Sequence, residues 1–81
     1  MSENYFSLGE RDAKILARKI SLEDYETIKV HWKNKNYTLI AYMLRKYGLD
    51  FKGLTYLETL INELIKIKEP LIRHHNKSIY V

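Results

Sequence analysis

The sequence predicts an all-α fold, a compact bundle of about four short helices in a single domain spanning residues 1–81. Two observations carry that expectation. Start and stop chemistry typical of helices recurs along the chain, and apolar residues repeat at spacings of three and four rather than two. One stretch argues the other way. In Thr27 to Tyr42, "TIKVHWKNKNYTLIAY", Ile28, Val30 and Trp32 alternate with Lys29, His31 and Lys33. An Asn-Lys-Asn turn follows. Strand-forming residues in strict alternation describe a β-hairpin, so an α+β fold with a hairpin at about 27–42 is the alternative.

The first helix is expected to open on Ser7, where "SLGE" resembles a capping box. Ile15, Leu16 and Ile20 follow at helical spacing, and Arg18 and Lys19 close it. The second opens on Ser21, "SLED". Glu23, Asp24 and Glu26 fill its first turns, while Lys29, Lys33 and Lys35 fill its last. Acids at the positive end of the helix dipole and bases at the negative end both stabilise it. Leu22, Tyr25, Ile28 and Trp32 then share one face. This end chemistry outweighs the local alternation.

The third helix runs from Tyr37 to Tyr47, with Asn36 as its cap. Arg45 and Lys46 lie near its end, and Gly48 stands at the left-handed stop position. Its middle, Leu39 to Leu44, is apolar around most of its circumference and belongs at the centre. The fourth opens on the capping box "TYLE", Thr55 to Glu58, and runs to about Lys68, with Pro70 just beyond. Leu57, Leu60, Leu64 and Ile67 recur along it at spacings of three and four. Leu54, Ile61 and Ile65 widen the stripe. A stripe that wide serves the domain core and, in a sharper reading, the seam of a homodimer. The ending, residues 70–81, reads as an extended or partly ordered tail.

Composition bounds what the domain can do. A chain of 81 residues buries only about 60% of its unfolded surface, so a partner or second copy can add to its core. It has no cysteine, which removes disulfides, thiolate nucleophiles and Cys-based zinc sites. No basic segment followed by an apolar run marks a signal peptide, and no apolar run suits a membrane span. Together these predict a cytoplasmic protein with no membrane partner. The glycines Gly9, Gly48 and Gly53 are too scattered for a phosphate loop. No Ser-His-acid spacing suggests a nucleophile. His74 and His75 are adjacent and diverge on a helix, so they do not chelate as an i, i+4 pair does. The sequence therefore predicts no catalytic residues, no metal site, no cofactor and no enzyme activity.

Charge is the remaining lead. The net charge is +4, and residues 27–52 hold six bases against Asp50 alone. Bases gathered on one face neutralise phosphates and release counterions. The expected phosphate contacts are Lys29, Lys33, Lys35, Arg45, Lys46 and Lys52. Two windows invite comparison with DNA-binding helix-turn-helix units. "ILARKISLEDYETIKV" puts Glu23, Asp24 and Glu26 where phosphates would lie. The connection "GLDFKG" after Tyr47 is longer than the usual turn. Neither identifies a family. Two function classes follow. The first is a small basic regulatory protein binding nucleic acid, DNA more than RNA. The alternative is a protein-interaction module, an adaptor or inhibitor, docking through Leu57, Leu60, Leu64 and Ile67 or through its aromatics, as a homodimer in one form.

Overall fold

The computed structural model describes residues 4–80, with side chains through Ile72. Four helices follow one another: α1 Tyr5–Lys19, α2 Leu22–Lys33, α3 Tyr37–Lys46 and α4 Leu54–Tyr80. The described residues contain no strand, so the hairpin alternative falls. Trp32 and Tyr37, the aromatics that suggested it, pack across the α2–α3 corner with ring centroids 5.8 Å apart.

Helix α2 begins as its sequence predicts. The Ser21 side chain accepts from the Asp24 N–H at 3.1 Å. Helix α3 ends as predicted too. Gly48 has φ of 80°. Its N–H reaches the Arg45 carbonyl at 3.0 Å and the next N–H, from Leu49, reaches Leu44 at 2.9 Å. These are the paired bonds of a Schellman stop. Helix α2 closes the same way without a glycine. Lys35 takes φ of 59°, and Lys35 and Asn36 donate to Trp32 and His31 at 3.1 and 2.8 Å.

Four helix ends differ from expectation. Helix α1 is capped by Asn4, whose side chain accepts from the Phe6 N–H at 2.8 Å, so Ser7 lies inside the helix. The earlier start adds Tyr5, Phe6 and Ser7 to the helix, ahead of the buried Leu8 and Gly9. Asn36 occupies the cap position of α3, but its side chain makes no capping bond. Helix α4 starts at Leu54 on the Gly53 carbonyl, which accepts from Leu57 at 3.0 Å. Thr55 is therefore internal. Pro70 does not end α4 but lies within it. Proline removes one helical bond, to the carbonyl four residues back. The preceding turn is held from other helices: Glu69 bonds Tyr25 and Lys29 of α2, and Lys68 reaches the Ala17 carbonyl of α1 at 3.4 Å. The segment expected as an extended or partly ordered tail, 70–81, carries α4 through Tyr80, while the side chains of 73–81, and with them the expectation for His74 and His75, lie outside the description.

Helices α1 and α4 make the main packing contact, and α2 pairs with α3. Gly9 meets Tyr56 and Thr59, and Ala17 meets Lys68, so α1 and α4 run in the same direction. The core takes Leu8, Ala13, Leu16 and Ile20 from α1 and its end, and Tyr25 and Ile28 from α2. Ile40 and Leu44 come from α3, and Tyr56, Leu57, Leu60, Ile61 and Leu64 from α4. One carboxylate is buried among them. Asp12 is 3% exposed and accepts from the Tyr56 hydroxyl at 2.6 Å. That bond, with the Arg11 guanidinium donating to the other carboxylate oxygen at 3.3 Å, offsets the cost of burying a charge.

Candidate functional site

The six bases expected on phosphates divide into two groups. Lys29 is partly buried and bonds Glu69 at 3.1 Å and Glu26 at 3.5 Å. Its ammonium also lies 4.8 Å from the Tyr25 ring centroid. Burial alone would lower its pKa, but the Glu69 and Glu26 carboxylates outweigh burial and raise it. Lys46 pairs with Asp24 at 2.8 Å and lies 5.6 Å from the Tyr47 ring. Lys52 stands 4.9 Å from the Tyr56 ring. In these three cases the alternation of bases and aromatics produces cation–π contacts within the chain.

Lys33, Lys35 and Arg45 are exposed. No ion pair holds them among the described residues. They are not together. Lys33 and Lys35 flank the α2–α3 corner, and Arg45 is at the other end of α3, roughly 12 Å along that helix. The two helices run antiparallel, because Lys46 and Tyr47 at the end of α3 both bond Asp24 at the start of α2. The Ser21 N–H donates to the Tyr47 hydroxyl at 3.4 Å. This is an αα-hairpin, not the open crossing of a DNA-binding helix-turn-helix.

The expected interface residues are also placed differently from one another. Leu57, Leu60 and Leu64 are 0% exposed and belong to the chain's own core. Ile67 is half-buried and reaches the surface.

Ile67 opens onto a groove between α1 and α4. Its lining is Lys14, Ala17, Arg18, Ile67 and Leu71, around about 490 Å³ of open volume. Ala17 and Ile67 form a half-buried floor, and Leu71 is 62% exposed. Lys14 and Arg18 form the α1 wall. They are exposed, one turn apart, and make no ion pair among the described residues. The same two cations border a second hollow along α1 of about 390 Å³, with Ser7, Glu10, Arg11 and Ile15. Both hollows are open to solvent, unlike the enclosed pockets that bury a small ligand.

The charge excess over residues 27–52 does not single out this wall. Residues 1–26 hold six acids against four bases, yet three of those acids, Glu23, Asp24 and Glu26, stand on α2. Reading α1 alone at helical spacing puts Arg11, Lys14 and Arg18 on neighbouring positions of one side.

Among the described residues, no group of three or more His, Asp or Glu is placed to hold a metal ion. None of the described helices is long and apolar enough to cross a membrane. Compared with models of protein families, with curated proteins and with solved structures, the chain matches none.

Proposed function

We propose that this chain is a non-catalytic protein-interaction module, a small adaptor or inhibitor, that docks a partner segment on the α1–α4 groove. The observation that carries the reading is the groove's apolar floor. Ile67 and the 62%-exposed Leu71 adjoin Ala17 on the two helices that pack most extensively. A single exposed leucine is ordinary, but one continuous with other apolar side chains in a groove offers a place to bury a partner's apolar residues.

The nucleic-acid reading keeps one specific support. Lys33, Lys35 and Arg45 are exposed and unpaired among the described residues, on a chain of net charge +4. Its difficulty is geometric, since the three stand at opposite ends of α3.

Two measurements separate the readings. In the first, wild-type and Leu71→Asp protein serve as baits, with helical content matched by circular dichroism. A partner retained by wild type and lost by the variant supports docking through the groove. An identical set on both baits counts against it. In the second, a mixed-sequence duplex is titrated at about 50 and about 200 mM salt. Affinity that falls by orders of magnitude over that range indicates several phosphate contacts. It would transfer the function to the nucleic-acid class.

A further inference from the structure

We infer that the segment received by the α1–α4 groove is an acidic amphipathic helix. The inference rests on the groove being the docking surface, and adds the chemistry of its occupant.

The shape argues for a helix. Two helices packed side by side leave a furrow into which a third fits by ridge and groove. Ile67 and Leu71 are one turn apart on α4, and Lys14 and Arg18 are one turn apart on α1. Floor and wall therefore repeat together at about 6 Å, the pitch at which a helix presents residues i and i+4. A partner with apolar side chains at that spacing covers Ala17, Ile67 and Leu71, in the helix-in-groove mode.

The charge argues for acid. Lys14 and Arg18 border the floor with no ion pair among the described residues. Lys29 and Lys46, elsewhere on the surface, already hold carboxylates. Lys68, outside the groove's lining, is already engaged, donating to the Ala17 carbonyl at 3.4 Å. Carboxylates along one edge of the incoming helix would meet Lys14 and Arg18 while its apolar edge faces Ile67 and Leu71. A nucleic-acid backbone would satisfy the cations but leave Leu71 uncovered. A second copy related by a two-fold axis would bring two basic walls into one interface, which opposes association.

The test is selection from a displayed library of helical peptides about four turns long. Leucines are fixed at helical spacing, and the flanking positions are randomised among Glu, Gln and Lys. The full-length chain is the target, beside Leu71→Asp and the double variant Lys14→Glu with Arg18→Glu. These three positions are exposed, and circular dichroism checks that each variant keeps its helices. Glu-flanked peptides are expected to be enriched on wild type and to bind about tenfold tighter than Gln-flanked counterparts, as two surface ion pairs allow. The double variant is expected to reverse the preference toward Lys. Enrichment without charge preference, lost in Leu71→Asp, would overturn the acidic occupant and leave the docking reading intact. No enrichment on wild type above the Leu71→Asp background would overturn both.

Discussion

Gly9 lies so close to Thr59 that a Cβ built on the glycine would stand 2.9 Å from the threonine Cβ. It would meet the Tyr56 carbonyl oxygen at the same 2.9 Å. The missing side chain is what lets α1 approach the backbone of α4 here. Both groups lie at or near the α4 backbone and cannot swing aside as the end of a flexible side chain can.

Gly9→Ala is therefore expected to destabilise the fold. Alanine favours a helix interior by about 1 kcal/mol over glycine, but overpacking typically costs about 1–3 kcal/mol. A net loss of up to about 2 kcal/mol is expected in urea denaturation. A variant more stable than wild type would show that α1 and α4 separate without penalty.

The ends of α2 and α3 make a matched pair for the left-handed stop. Lys35, with φ of 59°, does what Gly48 does at φ of 80°. A side chain in that conformation costs about 1–2 kcal/mol, partly offset by the greater freedom glycine has when unfolded. Lys35→Gly is expected to raise stability by up to about 1 kcal/mol, and Gly48→Ala to lower it by about the same. A Cβ at Gly48 meets nothing within 4 Å, so the second effect comes from the backbone alone. Thermal midpoints moving in the same direction for both variants would contradict this.

These elements show what could be read from the chain. Ser21 and Gly48 act on neighbours within a few residues, so their roles were visible in the local pattern. The end of α4 was not. The interactions around Pro70 come from Tyr25, Lys29 and Ala17, about forty or more positions earlier. The same distance hid the use of the basic middle. Lys29 and Lys46 look like free surface cations until Glu69 and Asp24 are brought beside them. Asp12 was equally opaque, because only the packing of α1 on α4 reveals the Tyr56 hydroxyl that makes a buried carboxylate acceptable. The wide stripe on α4 was legible as apolar. Which of its members reach the surface depends on where α1 ends its contact.

Tyr56→Phe isolates the buried polar contact, since it keeps the ring and removes only the hydroxyl. Asp12 then loses a donor in a site where it is 3% exposed. A hydrogen bond to a charged group is worth about 1.5–3 kcal/mol, and a loss in that range is expected. Asp12→Asn should cost less, because its amide oxygen still accepts. A double-mutant cycle over Asp12→Ala and Tyr56→Phe, each of which removes the bond, should return a coupling of about 1 kcal/mol. Strict additivity would mean that the two groups do not support each other.

Stability should fall at both extremes of pH, for different groups. The Asp24 carboxyl is held below its ordinary value of 3.8, first by the hydrogen bond from Lys46 and then by that from Tyr47. A depressed acid stabilises the fold above its unfolded pKa, near pH 4. That contribution disappears as pH falls through the lower folded value. At the alkaline end, burial comes first and a neighbouring carboxylate second in raising the phenols of Tyr25 and Tyr56. The unfolded chain then releases its phenolic protons near pH 10, while the folded chain retains them. Their contribution is complete below that pH and is lost as pH rises toward the folded values. Urea midpoints measured across the pH range check both limbs. Asp24→Asn should flatten the decline below about pH 4, and Tyr25→Phe the decline above about pH 10. An Asp24→Asn profile parallel to wild type on the acid side would remove Asp24 from the account. A Tyr25→Phe profile parallel on the alkaline side would do the same for the Tyr25 contact with Glu69.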